Sequence, residues 1–332
     1  MADIHLSVAL PASPEAADHI ATAERLGYRG AHIYDTPFEG GDVWQALHDA
    51  AKVTTRIRLG PAVLVPALRH PLVNAAQTVS LHHAAPGRVM TSFGTGFSSR
   101  AATGQPPIPW SEMDNYIRVY LALLAGESAE WEGAPIQLQL TSTQRATLPI
   151  DLPLLIAAIG PKGSGVAKRL SADGIISILQ VTPQQREFAE AVVSGPGTVL
   201  DEGEELNSER VRQAAGPTWA GVLHFTYTVQ GADAVREMPG GPAWLEVIEK
   251  YPPEERHLHI NRGHLVDMNE ADLAAWHAGG YVTLSSTLTG TADVVRQKVA
   301  DLASAGATEV MFEPSGPDIG RELKAFVAAV RG

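Results

Sequence analysis

The sequence contains no cysteine, and that absence excludes several kinds of chemistry. Disulfide bonds, thiolate nucleophiles and cysteine-ligated metal sites all need this side chain. Positive charge is also scarce, since 25 lysines and arginines face 37 aspartates and glutamates, which leaves a formal net charge of −12. A chain this acidic is not expected to contact nucleic acid or an anionic membrane over a broad surface. A phosphorylated ligand is compatible with this charge, because backbone N–H groups can bind phosphate locally.

Long apolar runs are missing as well. No stretch reaches the roughly 18 apolar residues of a membrane span. The first residues, MADIHLSVAL, lack the basic segment of a signal peptide. We therefore predict a cytoplasmic protein without a membrane partner. The 332 residues are 45% hydrophobic and 19% charged, a composition typical of a globular protein with a sizeable core.

Apolar and amphipathic segments alternate along the chain. Short apolar runs predict buried strands, and segments with apolar residues three and four positions apart predict helices. The predicted strands cover residues 4–10, 31–34, 57–65, 88–94, 154–158, 174–179, 219–229 and 308–312. The predicted helices cover residues 15–26, 42–53, 70–85, 111–124, 164–170, 183–193, 293–303 and 319–330. Strands that each lead into a helix favour a parallel sheet.

Eight such units predict an α/β fold with one domain over residues 1–332, a single (β/α)8 TIM barrel with insertions. The insertions lie near 130–150, 198–215 and 231–289. The first alternates polar and apolar residues like a hairpin, and the second is an acidic surface excursion. A two-domain doubly wound fold is the alternative, but no proline- and serine-rich linker divides the chain.

In such a barrel the reacting residues lie at the carboxyl ends of the strands. The residues at the predicted strand ends are mostly small, hydroxylated or apolar, which suits a bound cofactor better than a self-sufficient hydrolase. They occupy positions 35–36, 62–65, 94–97, 157–162, 177–180 and 224–228.

Two glycine-bearing loops follow predicted strands. Gly94-Thr95-Gly96 lets another molecule approach the backbone closely, but it lacks the third glycine of a dinucleotide-binding fingerprint. The loop from Gly160 to Gly163 precedes a helix, so its amides could hold a phosphate, although it is not a Walker A motif. Each loop by itself is equally well explained as a tight turn. If both loops lie at the carboxyl ends of the strands of one barrel, they together favour a phosphorylated ligand.

Histidines and aromatic residues leave alternatives open. His257, His259 and His264 could bind a metal, which would make the protein a metal-dependent barrel hydrolase. In barrel hydrolases, however, the His-x-His motif belongs to the first strand, and we therefore predict no metal. His70 precedes a first-turn proline and is more often a capping residue than a base. Four aromatic residues lie near strand ends. They either pack at the rim of the barrel or form an apolar wall of the substrate site. They are Phe38, Trp44, Phe97 and Trp110.

Five segments resemble the bacterial luciferase-like superfamily, whose barrels hold FMN or the deazaflavin coenzyme F420. They are YDTP at 34–37, LGPAVLVPALRHP at 59–71, GRVMTSFGTGF at 87–97, IAAIGPKGSGVAKRLSADGII at 156–176 and GTADVVRQKVADLASAGATEVMF at 290–312. The two loops are most similar to the F420 branch, which includes methylenetetrahydromethanopterin reductase and a glucose-6-phosphate dehydrogenase. The resemblance covers most of the chain.

The resemblance implies a site, a cofactor and an assembly. A non-prolyl cis peptide is implied at Ala62–Val63 under the central ring of the cofactor, and the loop after strand five would bind its phosphate. The implied cofactor-binding residues are Asp35, Ala62, Val63, Thr95, Gly96, Ala157, Ala158, Gly160, Pro161, Lys162, Gly163 and Ser177. The catalytic candidates are Asp35, Thr36, Phe97 and His70. The implied assembly is a homodimer through residues 42–53 and 70–84.

Two departures bear on the substrate. The sugar-phosphate dehydrogenases of the branch place a histidine and a glutamate where this chain has Thr36 and Phe97, so such a substrate is not expected. We predict hydride transfer between F420 and a small apolar or aromatic molecule, with an FMN monooxygenase as the alternative. The phosphate and glutamates of the F420 tail would need local cations, and the candidates are Arg100, Lys162, Lys168 and Arg169.

Overall fold

The computed structural model describes residues 4–332, so the first three residues of the predicted domain lie outside it. Ten strands occur in this part of the chain. They are β1 (His5–Leu10), β2 (Gly30–Ile33), β3 (Arg58–Pro61), β4 (Thr91–Phe93), β5 (Ala129–Trp131), β6 (Ala134–Ile136), β7 (Leu154–Ala157), β8 (Gly174–Ile178), β9 (Glu190–Pro196) and β10 (Glu309–Glu313).

Eight of the strands described form one parallel sheet. Its order is β3-β2-β1-β10-β9-β8-β7-β4. Bridges from Leu59 to Val89 and from Leu64 to Phe93 join the two outer strands. The sheet therefore closes on itself with helices outside, which confirms the (β/α)8 barrel and makes the doubly wound alternative wrong.

The helices follow the strands on the outside of the sheet. They are α1 (Ala16–Arg25), α2 (Val43–Val53), α3 (Pro71–Ala84), α4 (Phe97–Ala101), α5 (Trp110–Leu124), α6 (Ser142–Arg145), α7 (Pro161–Arg169), α8 (Glu209–Gln230), α9 (Ala232–Arg236), α10 (Gly241–Ile248), α11 (Arg256–Ile260), α12 (Glu270–His277), α13 (Ala292–Ala305) and α14 (Ile319–Arg331). No helix within residues 4–332 combines the length and the apolar composition that crossing a membrane requires.

Local sequence signals explain many of these ends. Asp42 begins α2, and its carboxylate accepts hydrogen bonds from the N–H groups of Trp44 and Gln45 at 2.9 and 3.1 Å. Pro71 occupies the first turn of α3, where no hydrogen-bonding N–H is needed. The predicted hairpin near 130–150 is confirmed as the antiparallel pair β5 and β6.

Two predicted elements are wrong, and one short helix was not predicted. Residues 183–193 do not form a helix, because a 3-10 turn at Pro183–Glu187 leads directly into strand β9. The β-branched and small residues of β9 pair with β8 on one side and β10 on the other. Residues 219–229 belong to helix α8 rather than to a strand. A short helix, α4, also begins directly after Gly96, before the helix expected near Ser111.

Helix α8 lies in the long segment between β9 and α13, which is here called the insertion (residues 197–291). The predicted surface excursion ends inside it, since α8 begins at Glu209. The insertion has its own hydrophobic cluster, which includes Trp219, Trp244 and Trp276. The apolar residues of 219–229 therefore face this cluster with helical spacing, which is why the strand prediction failed.

Candidate active site

The carboxyl ends of the strands, here called the mouth, surround an apolar floor. Small side chains dominate it: Ala62, Val63 and Ala157 pack against the cluster that fills the barrel interior. The Ala62–Val63 peptide bond is cis, as expected from the resemblance. A side chain on Gly94 would approach a Val63 methyl group to 2.5 Å, so this glycine is needed for the contact. Leu265, from the insertion, packs against the same cluster.

Asp35, at the end of β2, holds the mouth together. Its buried carboxylate accepts a hydrogen bond from Arg69 at 2.6 Å and from the Val65 N–H at 3.2 Å. Arg69 also pairs with Asp42 at 2.9 Å. Burial opposes the charge of Arg69, but the two aspartates raise its pKa above the ordinary value. The carboxylate of Asp35 is thus engaged by the protein itself.

Thr36 and Glu39 lie on the wall of a cavity of about 560 Å³ beside the mouth. The Thr36 hydroxyl donates to Glu39 Oε2 at 2.6 Å, while Glu39 Oε1 is buried and has no hydrogen-bond partner among residues 4–332. Burial raises the pKa of Glu39 to about 7, against the opposing hydrogen bond from Thr36. The other lining residues are those of segments 11–14 and 40–41 together with Phe38, Ala102, Leu258, Asn261, Arg262, Gly263 and Val266.

The loop after β4 connects the mouth to the insertion. Gly96 has a positive φ of 83°, which glycine adopts readily. Phe97, which follows it, packs on Phe225 of α8 with ring centroids 4.5 Å apart. Ser99 donates to the backbone carbonyl of Asp35 at 2.6 Å. Phe97 therefore presents apolar surface next to Thr95 and Gly96, which belong to the same loop.

The loop between β7 and α7 offers a free helix start. Gly160 precedes α7 with φ −128° and ψ 170°, and no side chain caps the helix. A side chain added at Gly160 would meet nothing within 4 Å, so a ligand could approach there. Gly163 differs, because a side chain there would meet Trp110 at 2.5 Å. Ala158 is buried and Pro161 is exposed beside this loop.

The four candidate cations are not equivalent. Lys168 pairs with Glu187 at 2.6 Å, and Arg169 pairs with Asp114 at 2.9 Å. Arg100 donates to the Pro106 carbonyl. Lys162 is exposed, and no carboxylate within residues 4–332 pairs with it. Lys162 is therefore the cation best placed to act on a ligand at α7.

Two predicted site residues have local roles. The Nδ1 atom of His70 accepts the Leu72 N–H at 3.1 Å and so caps α3, while its ring packs edge-on against Trp131. Ser177 donates to the Gln180 carbonyl at 2.6 Å. Trp44, also named as a possible wall residue, is buried and donates to Asn74 at 3.0 Å. None of these three residues lines the cavity.

The structure does not bring the histidines of the hydrolase hypothesis together. His257 lies against Gly104, and His259 stacks on Tyr251 with centroids 3.4 Å apart. His264 is bonded instead to His224. Among residues 4–332 there is no cluster of histidines and carboxylates suited to a metal.

Sequence reasoning missed a buried chain of three polar side chains in the insertion. Asp272 Oδ1 lies 2.9 Å from His224 Nε2, and His224 Nδ1 lies 2.9 Å from His264 Nδ1. Trp244 donates to the same Oδ1 atom at 2.9 Å. The Nε2 atom of His264 is buried without a hydrogen-bond partner among the described residues. The sequence offers no signal for this chain, since its members are 40 and 48 residues apart.

Glu39 was missed although it follows a predicted strand closely. The sequence places a carboxylate three residues beyond Thr36, but only the folded structure shows that one of its oxygens is buried and has no hydrogen-bond partner among the described residues. Glu313, at the end of β10, was missed too. Burial raises its pKa to about 7, and Ser194 donates to it.

Comparison with known proteins agrees with this architecture. The model of the luciferase-like monooxygenase family matches residues 3–309. An F420-dependent glucose-6-phosphate dehydrogenase from Beutenbergia cavernae is 35% identical over 169 residues, which are 46% of this chain and 49% of the relative. The chain thus spans about half the length of that relative.

Two solved structures extend the comparison over the full chain. Coenzyme F420-dependent tetrahydromethanopterin reductase from Methanopyrus kandleri superposes with a TM-score of 0.68 at 18% identity, covering 99% of both chains. The monooxygenase RslO1 from Streptomyces bottropensis gives a TM-score of 0.64 at 18% identity, again over 99% of both. At these identities the likeness shows the fold alone.

The closed barrel with helices outside is the fold shared with these two solved structures. The chain belongs to the luciferase-like monooxygenase family.

Proposed function

We propose that this chain transfers hydride between coenzyme F420 and a small apolar or aromatic substrate. The observation that carries the proposal is the apolar floor of small residues at Ala62, Val63, Gly94 and Ala157. A flat ring system needs such a surface, because larger side chains would occupy its place. When bound, the deazaflavin supplies a ring carbon that accepts or returns a hydride, so the protein mainly has to position the reactants.

The start of α7 supports a phosphorylated cofactor. Its first N–H groups have no side-chain cap, and the space next to Gly160 is open. Helix N-termini favour anions through these N–H groups and through the helix dipole. Lys162 adds a positive charge at the same place. An F420 phosphate and its acidic tail would suit this charge arrangement better than FMN, which carries the phosphate alone.

Two relatives also favour F420 over FMN. The Beutenbergia cavernae and Methanopyrus kandleri proteins are both described as F420-dependent. A sugar phosphate is nevertheless not the proposed substrate. The Thr36 hydroxyl already donates to Glu39, so it is not free to bind a sugar phosphate. Phe97 packs on Phe225 and adds apolar surface beside the proposed cofactor ring.

Titration of the purified apoprotein with F420, FMN and FAD tests the proposal. We expect F420 to bind with an affinity at least about tenfold above that for FMN, a difference of about 1.4 kcal/mol. Tight FMN binding with oxygen-dependent turnover and no affinity for F420 would overturn it. That outcome would instead support an FMN monooxygenase, the second candidate.

We further propose the chain as one domain over residues 1–332 and as a homodimer through α2 and α3, as the resemblance implies. Measurement of the molar mass in solution tests the assembly. A strictly monomeric mass at micromolar concentration would refute the homodimer.

A further inference from the structure

The cavity beside the mouth is lined by an arginine that the proposed cofactor site does not use. Arg262 lies in the insertion between α11 and α12, and its side chain is exposed at the cavity wall. No carboxylate among residues 4–332 pairs with it, and its guanidinium donates to no protein acceptor there. A guanidinium carries a permanent charge and five N–H donors, so Arg262 is free to bind an anion.

The other four arginines of the insertion already have partners. Arg210, Arg212 and Arg236 pair with carboxylates. Arg256 donates to a backbone carbonyl at 3.1 Å. Arg262 is the exception, and it is also the one that lines the cavity.

The segment that carries Arg262 is held in place on both sides. Before it, the Asn261 side chain donates to the His257 carbonyl at 2.7 Å. After it, His264 is buried and bonded to His224 at 2.9 Å. The buried polar chain of the insertion thus positions this part of the cavity wall. A cation on a segment held in this way loses less freedom when it binds a ligand, which favours affinity.

Exposed apolar side chains line the same cavity. Phe38, Leu258 and Val266 are between 38% and 55% exposed. Large apolar side chains that meet water around one cavity indicate an apolar ligand, because burial against such a ligand is favourable. The volume of about 560 Å³ is that of a small-molecule site. A ligand that satisfies the whole wall therefore has an apolar body and an anionic group.

The charges of the wall favour an anion at mildly acidic pH. Among the described residues that line the cavity, Arg262 is the only cation and Glu39 the only carboxyl group. Burial raises the pKa of Glu39 to about 7. Glu39 is therefore mostly protonated at pH 6, where it does not repel an anion.

The cavity shares its walls with the mouth. Thr36 lines the cavity and directly follows Asp35 at the end of β2. Val266 lines it too, and the preceding Leu265 packs against the cluster at the floor of the mouth. A ligand in the cavity would therefore lie next to the floor on which the cofactor is proposed to bind.

We propose that the cavity binds a small organic acid, with its carboxylate on Arg262 and its apolar body against Phe38, Leu258 and Val266. A guanidinium can hold both oxygens of a carboxylate through charge-assisted hydrogen bonds. A phosphate dianion would need a further cation, which the described lining lacks. That this acid is the substrate rests on the proposed function, whereas its binding does not.

The first test measures binding without cofactor. Calorimetric titration of the full chain at pH 6 compares cinnamate with cinnamamide, a neutral molecule of the same shape, and with acetate, which lacks the apolar body. We expect cinnamate to bind at least about tenfold more tightly than cinnamamide. Acetate should bind at least about tenfold more weakly than cinnamate. Equal affinities for cinnamate and cinnamamide would overturn the inference.

Variants then identify the cation. Arg262→Gln should reduce the preference for cinnamate over cinnamamide to less than about twofold. Arg262→Lys keeps the charge without the planar pair of donors and should retain part of the preference. Arg56→Gln is the matched control, because Arg56 is exposed, also lacks a carboxylate partner among residues 4–332, and precedes β3 at the opposite end of the barrel. A full preference in Arg262→Gln would contradict the proposal.

Titration of the same variants with F420 separates the two proposals. If the Kd of F420 rises more than about threefold in Arg262→Gln, the arginine binds the acidic tail of the cofactor and the inference is wrong. If the wild type prefers cinnamate through Arg262 but does not bind F420, the proposed function falls and the carboxylate site stands. If it binds F420 without that preference, the proposed function stands and the inference falls.

Discussion

Ser194 donates its hydroxyl hydrogen to the carboxyl group of Glu313 between the neighbouring strands β9 and β10. Glu313 is buried, and burial raises its pKa from 4.5 to about 7, although the hydrogen bond from Ser194 opposes this rise. A carboxyl group that holds its proton at the mouth of a barrel affects how stability depends on pH.

Stability should fall as pH rises through the range between these two pKa values. Below about 4.5 the group is protonated in both the folded and unfolded states, and it has no effect. Above about 7 its ionisation penalises only the folded state, by about 3 kcal/mol for a pKa raised from 4.5 to about 7. Glu313→Gln should remove the loss of stability that ionisation of Glu313 causes between pH 5 and pH 8. The free energy of unfolding at the two pH values is measured by urea titration. The exposed Glu237→Gln is the control, and an unchanged decline in Glu313→Gln would contradict the assignment.

The ion pair between Arg69 and Asp35 should stabilise the mouth. The two side chains are 13% and 0% exposed, so removal of the arginine leaves a buried carboxylate without its partner. Arg69→Met should lower the free energy of unfolding by about 3 kcal/mol. Lys52→Met removes a surface pair with Asp49 and should cost less than about 1 kcal/mol in the same urea titration. Equal costs for the two variants would show that the buried pair has no special role.

Gly160 and Gly163 should respond differently to the same substitution. Gly160 has a backbone conformation open to any residue and empty space around it, so Gly160→Val should fold normally. It should weaken F420 binding at least about tenfold, because it obstructs the N–H groups at the start of α7. Gly163→Val should instead lower the melting temperature, since its side chain would meet Trp110. Unchanged cofactor affinity in Gly160→Val would show that the loop is only a turn and does not bind the cofactor.

Lys162 should matter for the acidic tail of the cofactor more than Lys168 does. Lys168 is already paired with Glu187, whereas Lys162 has no carboxylate partner in residues 4–332. Lys162→Ala should raise the Kd of F420 about threefold to tenfold at low salt, and the difference from the wild type should shrink at high salt through screening. Lys168→Ala is the matched control and should leave the Kd within twofold. A salt-independent effect of Lys162→Ala would mean that its charge is not responsible.

The sequence by itself determined the repeating part of the molecule. Strand–helix units such as His5–Leu10 with Ala16–Arg25 carry their pattern within some twenty residues, so local spacing was sufficient to predict them. The five family segments likewise lie within continuous stretches, and they led to the barrel, the family and the cis peptide at Ala62–Val63.

Tertiary structure alone decided the elements whose partners are distant in sequence. Residues 219–229 form a helix because their apolar face meets the cluster of the insertion, and Glu190–Pro196 forms a strand because neighbours exist on both sides. The chain from Asp272 to His264, and the unpaired oxygen of Glu39, exist only once separate segments have buried them. Burial and hydrogen-bond partners set the chemistry of these groups, and neither quantity is a property of a local sequence pattern.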